Sequence, residues 1–182
     1  SRCATVGGLI AHRGTGVLST KYGKIEDMIV NMEVVLPTGE IIKTLPVPNT
    51  ACGPDLNQIF AGSEGTLGIV TRVTLTIHRL PESRQFRAFI FKNLATGLRV
   101  GQRLISENLQ PSVIRLYSEN ETKEVIKKVL GIEKKGAYLV YGFDGKKEMV
   151  DLQMKYAQAI ADEEEGEDLG TELGAEWWKN RY

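Results

Sequence analysis

The stretch Gly62-Ser63-Glu64-Gly65-Thr66-Leu67-Gly68 carries three glycines within seven residues and runs directly into Ile69-Val70. Glycine adopts positive φ angles without steric cost and lets the backbone approach a ligand closely. The N–H groups that such a bend exposes can bind the oxygen atoms of a ligand. The same glycines also fit a tight turn or a bulge before a strand, so both interpretations are open on this segment alone.

The spacing of these glycines differs from the common phosphate-binding fingerprints. The spacing is not G-x-G-x-x-G, and the segment leads into a strand-like run rather than a helix, which excludes a Rossmann fingerprint. No Gly-Lys-Ser/Thr follows the glycines, so the segment is not a P-loop either. A ligand cradle at this position would therefore be of a different type.

A second glycine-rich segment, Thr5-Val6-Gly7-Gly8 continuing to His12-Arg13-Gly14-Thr15, lies near the start of the chain. The Gly7-Gly8 pair could admit a pyrophosphate against bare backbone, with His12 or Arg13 near its charge. The alternative is a surface histidine at position 12 and an ordinary surface ion pair at position 13.

The residues between and after these segments predict a β-hairpin, a short helix and a long strand. Residues 25–36 are rich in β-branched side chains and stop at Pro37-Thr38-Gly39, a turn signal, before residues 40–45 resume a strand. Asp55 is placed to begin a short helix that runs to Phe60. Residues 67–80 alternate apolar and polar side chains, including Ile77, which predicts one long strand with a buried face.

A boundary is predicted at Pro81-Glu82-Ser83, which divides the chain into residues 1–80 and 81–182. The second part alternates strands with helices. The predicted strands are 86–91, 112–117 and 137–143, and the predicted helices are 94–108, 121–130 and 146–162. This order predicts an α+β layer in which helices cover one face of a sheet. The acidic run 163–168 is interpreted as a solvated turn.

Composition argues against several classes of protein. Lys+Arg and Asp+Glu number 23 each, so the formal net charge is zero and nucleic-acid binding is not expected. The apolar runs are too short to span a bilayer, so no transmembrane segment is predicted. Cys3 and Cys52 make neither a disulfide framework nor a zinc set. They predict a reducing, cytoplasmic setting without a metal site. Both are interpreted as small buried filler, with a thiol role as the alternative.

The order of these motifs resembles the FAD-binding domain of the vanillyl-alcohol-oxidase and p-cresol-methylhydroxylase type. The Gly-Gly segment is followed by Tyr22-Gly23 near an acidic pair, the hairpin sequence V-L-P-T-G-E, then G-P-D-L, and finally G-S-E-G-T-L-G-I-V-T. Several unlike motifs agree in order and spacing over residues 1–80. The resemblance implies that residues 1–80 are the C-terminal part of such a domain, with a mixed or antiparallel sheet, helices and FAD as the cofactor.

Residues 81–182 are similar to the first part of the cap, or substrate, domain of the alkyldihydroxyacetonephosphate synthases. The similarity rests on Gln110-Pro111-Ser112-Val113-Ile114-Arg115-Leu116-Tyr117 and on the late segment E-W-W-K-N-R-Y at 176–182. In that family the arginine of the first segment supports activity, which implies a supporting catalytic role for Arg115. The residues alone also fit an inward-facing arginine paired with a carboxylate.

The resemblance further implies which residues contact FAD. They are Thr5, Gly7, Gly8, His12, Arg13, Gly14, Thr15, Glu64, Gly65, Thr66, Leu67, Gly68, Ile69 and Val70. His12 and Gly14 depart from the Thr-Arg-Ala-Ser that the family often has there, which leaves their side-chain roles open. The implied activity is acyl-for-alkyl exchange on a dihydroxyacetone phosphate, or oxidation of a 2-hydroxy acid. Both imply a small-molecule substrate, and a homodimer is compatible with either.

The family's FAD domain begins well before the point that matches Ser1, and its catalytic tyrosine and histidine-rich region lie beyond the point that matches Tyr182. We therefore expect the chain to be an internal fragment that binds FAD weakly or not at all by itself. Its sequence contains no convincing pair of nucleophile and base. A different class stays open, a non-catalytic module that binds a nucleotide weakly or serves as an interaction domain.

Overall fold

The computed structural model describes residues 3–131 and 133–180, and the chain divides into two compact units, Ser1–Arg79 and Leu80–Tyr182. Each unit has its own antiparallel sheet and its own hydrophobic core. The architecture is α+β, as the sequence predicts. Arg181 and Tyr182, the end of the E-W-W-K-N-R-Y segment, lie outside the described residues.

The first unit is built on a three-stranded sheet of order β2-β1-β3, in which β1 (Ile29–Val35) is central. It pairs antiparallel with β2 (Ile41–Lys43) and with β3 (Ile69–Leu75). The predicted hairpin is confirmed: the N–H of Gly39 donates to the carbonyl of Leu36 at 2.9 Å, and Gly39 has φ +86°. A positive φ at this turn explains why the position is glycine.

The described residues of the first unit also form four short helices. They are α1 (Val6–His12), α2 (Ser19–Tyr22), α3 (Ile25–Met28) and α4 (Leu56–Phe60). The core combines Ile10 of α1, Met32 and Val34 of β1, and Phe60 at the end of α4. The predicted helix after Asp55 is confirmed. The Asp55 carboxylate accepts a hydrogen bond from the N–H of Asn57 at 2.9 Å, as an N-cap residue does.

Two boundaries in this unit differ from the prediction. Residues 25–28 form a helical turn rather than the start of a strand, because the Asp27 carboxylate accepts the N–H of Lys24 at 2.8 Å and caps the turn. The strand predicted to run to residue 80 ends at Leu75, whose partner Ile29 is the first residue of β1. Ile77 lies beyond the ladder and is 87% exposed, so its predicted place on a buried face was wrong.

The two cysteines also differ from the prediction. Cys3 and Cys52 are both exposed and neither forms a disulfide, so neither is small buried filler. Both belong to irregular segments, Cys3 before α1 and Cys52 before α4, where no sheet or helix face encloses them. Residue type alone therefore overestimated their burial.

The second unit contains a four-stranded antiparallel sheet of order β5-β6-β4-β7. Its strands are β4 (Ser83–Phe91), β5 (Val113–Tyr117), β6 (Ala137–Gly145) and β7 (Glu167–Leu169). Its helices are α5 (Leu94–Ser106), α6 (Glu119–Glu121), a π-helical segment (Thr122–Ile126), α7 (Lys127–Leu130), α8 (Lys147–Glu163) and α9 (Gly170–Asn180). The predicted alternation of three strands and three helices over residues 86–162 is confirmed.

Helices cover both faces of this sheet, so the prediction of a single covered face was wrong. On one face, Phe89 and Phe91 of β4 pack into a core with side chains of α5 and α8. On the other face, Phe86 stacks on Trp178 of α9 with ring centroids 4.8 Å apart. The sequence of β6 is an almost continuous apolar run, a pattern typical of a strand that is buried on both sides.

The acidic run 163–168 is not a free solvated turn. Its last residues enter β7, which pairs with β4. Its carboxylates bind arginines of other elements: Glu163 binds Arg103 and Glu164 binds Arg99, each at 2.8 Å, and Asp168 binds Arg87. The hydrogen bond from Arg87 lowers the pKa of the Asp168 carboxyl group. The partners lie 60 or more positions away in the sequence, which is why a local pattern did not reveal them.

Neither a membrane span nor a metal cluster is found in residues 3–131 and 133–180. None of the helices there combines the length and the apolar character that crossing a bilayer requires. The same residues contain no group of three or more His, Cys, Asp or Glu side chains that could hold a metal ion.

Candidate functional site

Helix α1 carries the first predicted cofactor segment. The Thr5 hydroxyl caps it by accepting the N–H of Gly8 at 3.1 Å, and Gly7 and Gly8 form its first turn. Glycines disfavour helix, so no helix was predicted here. The cap and the complete burial of Ile10 against the sheet compensate for their low propensity. The backbone at Gly7 is open, since a Cβ there would meet nothing nearer than an oxygen 4.0 Å away.

The helix ends in a left-handed turn at Arg13, which has φ +52°. The N–H of Arg13 donates to the carbonyl of Ile10, and the N–H of Gly14 donates to that of Leu9 at 2.9 Å. These bonds satisfy carbonyls that a helix end otherwise leaves without partners. The turn leaves His12, Arg13 and Thr15 on the surface.

The Gly62–Gly68 loop bends through three residues of positive φ: Gly62 at +82°, Glu64 at +51° and Gly65 at +81°. A non-glycine residue in this region is strained, by about 1 kcal/mol, and such strain often accompanies function. Thr66 closes the bend by donating its hydroxyl to the carbonyl of Ser63 at 2.6 Å. A Cβ at Gly65 would meet no atom within 4 Å, so the space over this part of the loop is open.

The fold brings the two predicted cofactor segments together. The N–H of Gly62 donates to the carbonyl of Ile10, and the N–H of Glu64 donates to that of Ala11, each at 3.0 Å. His12 Nδ1 lies 3.4 Å from the Glu64 carboxylate, 52 positions away in the sequence. Both of these side chains are largely exposed, so this contact contributes little to stability. The backbone bonds join the end of α1 to the loop.

Gly68 has a different role from Gly65. It is buried, and a Cβ there would lie 2.7 Å from Val34 Cγ1 and 2.8 Å from the carbonyl oxygen of Val35. Ile69, the next residue, begins β3 and pairs with Val35. Gly68 therefore allows close contact between the loop and β1, whereas the space beside Gly65 contains no other protein atoms within 4 Å of a Cβ placed there.

The Arg13 guanidinium is held by the protein. Its Nε donates to the carbonyl of Ala61 at 2.9 Å, and its Nη2 donates to the backbone and side-chain oxygens of Gln58 at 2.8 and 2.9 Å. The guanidinium therefore lies against the end of α4. The sequence placed Arg13 near a ligand charge and contained no signal for Gln58.

Glu26 is a second residue of this region that no sequence motif indicated. Its side chain is only 10% exposed, and it lies 3.7 Å from the Lys24 ammonium group through Oε1. Among the residues that the structure describes, its Oε2 is buried without a hydrogen-bond partner. The Gln58 side-chain amide donates to the backbone carbonyl of Glu26 at 3.4 Å.

Arg115 lies in the second unit, on the edge strand β5, and it is exposed. Its guanidinium carbon lies 5.2 Å from the centre of the Tyr117 ring, within the range of a cation–π contact. The Tyr117 hydroxyl accepts the indole N–H of Trp177 at 2.9 Å, which fixes the ring. Hydrogen bonds from Ser118 lower the pKa of the nearby Glu121 carboxyl group, and the charge of Arg115 adds to this effect. Because Arg115 is exposed, the alternative of an inward-facing arginine was wrong.

Residues 1–45 match the family model of an FAD binding domain. This match confirms the predicted class: the chain carries part of an FAD-binding domain. The particular relatives agree with the narrower resemblance, since the alkyldihydroxyacetonephosphate synthase of Trypanosoma brucei brucei is 32% identical over 201 residues, which cover 98% of this chain and 32% of that protein.

The structural comparison gives the same result. A solved structure of alkyldihydroxyacetonephosphate synthase matches with a TM-score of 0.80 and 30% identity, over 97% of this chain and 35% of that chain.

A D-lactate dehydrogenase of Anaerostipes hadrus is 36% identical over 155 residues, which cover 80% of this chain and 32% of that protein. The predicted fold class is confirmed, and the chain spans about a third of the length of these relatives.

Proposed function

We propose that this chain forms one wall of the FAD site of a flavoenzyme of the alkyldihydroxyacetonephosphate synthase type. The observation that carries the proposal is the joining of the two cofactor segments, in which the N–H groups of Gly62 and Glu64 bind the carbonyls of Ile10 and Ala11. Residues 1–80 would be the C-terminal part of the FAD-binding domain, and residues 81–182 the first part of the cap.

The residues present fit an FAD molecule. The cofactor carries acceptor oxygens on its pyrophosphate and its flavin ring. The N–H groups of Gly62, Ser63, Glu64 and Thr66 already bind protein carbonyls, so the loop donors for such oxygens would be those of its other residues, such as Gly65. Open space over Gly65 and beside Gly7 leaves room for the cofactor. When bound, FAD supplies the redox or electrophilic chemistry, while the protein binds and orients it.

In this proposal Arg115 binds an anionic group of the substrate. Its positive charge is exposed, and the Tyr117 ring limits the positions that the guanidinium can take. A phosphate, as in acyl-dihydroxyacetone phosphate, and a carboxylate, as in a 2-hydroxy acid, both suit a planar guanidinium. The similarity to a D-lactate dehydrogenase supports oxidation of a 2-hydroxy acid as the second candidate activity.

The cofactor proposal is tested by comparing Gly65→Val with Gly39→Val in the full-length protein. The two glycines have φ angles of +81° and +86°, and a Cβ at either would meet nothing within 4 Å. Both variants therefore introduce the same backbone strain, but only Gly65→Val places a side chain in the proposed cradle. We expect FAD affinity, measured by quenching of flavin fluorescence, to fall at least about 10-fold in Gly65→Val and to stay unchanged in Gly39→Val.

Two results would contradict this proposal. One is a full-length protein that acquires no flavin absorbance after reconstitution with FAD. The other is an equal loss of affinity in both valine variants, because strain rather than the cradle would then explain the loss. A non-catalytic nucleotide-binding module would bind FAD but would turn over neither class of substrate.

The proposed role of Arg115 is tested by Arg115→Ala in the full-length protein. We expect kcat/KM to fall about 100-fold while FAD stays bound, because a charged group that binds the reacting molecule is lost. Arg99→Ala is the matched control, since Arg99 belongs to the same unit and pairs with Glu164. Assays with acyl-dihydroxyacetone phosphate, D-lactate, D-2-hydroxyglutarate and glycolate identify the substrate class. Unchanged turnover in Arg115→Ala would leave Arg115 with a structural role.

The remaining expectations are a homodimer and a cytoplasmic location. Both stay predictions from the sequence and its resemblance.

A further inference from the structure

We propose that Arg13 and Gln58 form a clamp that sets the conformation of the Gly62–Gly68 loop before the cofactor binds. Both side chains then act as positioning residues, and neither touches the cofactor. The inference rests on the proposed FAD site, and it adds Gln58 to that site and changes the role of the Arg13 side chain.

The first part of the clamp is the bond between Arg13 and the end of α4. The carbonyls of Gln58 and Ala61 lie in the last turn of that helix and just after it, where carbonyls lack helical partners. The Arg13 guanidinium donates hydrogen bonds to both carbonyls, at 2.8 Å to Gln58 and at 2.9 Å to Ala61. A planar guanidinium with several fixed N–H donors suits such a set of diverging acceptors better than an ammonium group does.

The second part is the Gln58 side chain, which joins three elements. Its Oε1 accepts Arg13 Nη2 at 2.9 Å, and its Nε2 donates to the backbone carbonyl of Glu26 at 3.4 Å. The amide therefore connects the turn after α1, the helix α3 and its own helix α4. Gln58 is partly buried, so this amide is partly shielded from competing water.

The third part is the contact between Arg13 and the start of the loop. A Cβ at Gly62 would lie 2.8 Å from Arg13 Cδ and 2.9 Å from Cγ, so the arginine side chain passes directly over the Gly62 backbone. On the other side, the N–H of Gly62 binds the carbonyl of Ile10. The entry of the loop is thus enclosed between the Arg13 side chain and the end of α1.

The consequence of this enclosure is preorganisation. Glu64 has φ +51°, a conformation that a non-glycine residue keeps only when its surroundings hold it. Without the clamp, the loop would have to be ordered when the cofactor binds, and the cost of that ordering reduces affinity. The clamp therefore raises the affinity for FAD, although its side chains bind protein groups and not the cofactor.

The test uses Arg13→Met and Gln58→Met in the full-length protein, which keep an unbranched apolar stem and remove the side-chain hydrogen bonds. Two quantities are measured: the Kd for FAD, and the hydrogen exchange of the Gly62 and Glu64 amides in the FAD-free protein. We expect both variants to raise Kd at least about 10-fold and to accelerate exchange of both amides. Arg13→Lys should not restore either quantity, because one ammonium group cannot replace the guanidinium between these acceptors.

Two controls separate positioning from general destabilisation. Ile42→Ala weakens the core of the same unit without touching the clamp, and Gln102→Met makes the same chemical change on α5 in the other unit. An equal rise in Kd in Ile42→Ala at matched thermal stability would overturn the proposal.

Other outcomes would also overturn the clamp. Weaker FAD binding with unchanged exchange in the FAD-free protein would make Arg13 a direct cofactor contact. Faster exchange with unchanged Kd would show that the cofactor does not need a preset loop, and unchanged exchange with unchanged Kd would remove the clamp altogether. A wild-type protein that binds no FAD would refute the proposed function instead, and the exchange comparison would then still decide whether the clamp holds the loop.

Discussion

Gly68→Ala is expected to destabilise the first unit by about 3 kcal/mol, because the added methyl group has no room. It would lie 2.7 Å from Val34 Cγ1 and 2.8 Å from the carbonyl oxygen of Val35, and the second of these atoms is backbone that cannot rotate away. Relief requires β1 and the loop to separate. That separation would disturb the pairing of Ile69 with Val35 as well.

Gly65→Ala is the matched comparison, and we expect it to cost only about 1 kcal/mol. Its methyl group meets nothing within 4 Å, so the cost comes from φ +81° alone. Urea denaturation followed by circular dichroism measures both variants. Equal losses of stability would contradict the assignment of Gly68 to packing and of Gly65 to an open cradle.

Arg84→Met is expected to destabilise the second unit by about 3 kcal/mol, because it removes the arginine bound to a buried carboxylate. Asp144 is 2% exposed, and its Oδ2 accepts Arg84 Nε at 3.1 Å and Nη2 at 2.9 Å. The guanidinium carbon also lies 5.0 Å from the centre of the Trp178 ring. Urea denaturation followed by tryptophan fluorescence therefore reports on the disrupted region itself.

The matched control is Arg99→Met, which breaks a more exposed pair with Glu164 and should cost less than about 1 kcal/mol. The double variant Arg84→Met/Asp144→Leu should recover much of the loss, because no buried charge is then left behind. If Arg84→Met costs no more than Arg99→Met, the Asp144 carboxylate does not depend on Arg84.

Features with a strong local cause could be predicted from the sequence. Pro37-Thr38-Gly39 determined the hairpin because its turn needs a residue of positive φ, and Asp55 determined the start of α4 because its carboxylate caps the helix. The alternation of strands and helices after residue 83 also followed from periodicity. Helix α1 was missed because Gly7 and Gly8 oppose helix locally, and the Thr5 cap and the burial of Ile10 compensate.

The candidate site was predicted in part. The resemblance assigned both the segment after Gly7-Gly8 and the segment at Gly62–Gly68 to FAD contacts, and the structure joins the two segments through the bond from Glu64 to Ala11. The separate roles of Gly65 and Gly68 could not be predicted, since both are glycines with the same local propensity. Their difference arises from β1, whose Val34 and Val35 lie against Gly68 alone. Gln58 was missed for the same reason, because its partners belong to other elements.

The strand order β5-β6-β4-β7 has a consequence for how the second unit folds. No two strands that are hydrogen-bonded neighbours are joined by a tight turn: β5 reaches β6 through a helical segment, and β4 pairs with β6 and β7, which come much later in the chain. Such a sheet has high contact order and is expected to form slowly. During synthesis β4 is made before β6 and β7, so neither of its edges can pair until β6 follows. Its apolar residues, such as Phe89 and Phe91, would then be exposed during synthesis, which makes β4 a segment suited to chaperone binding.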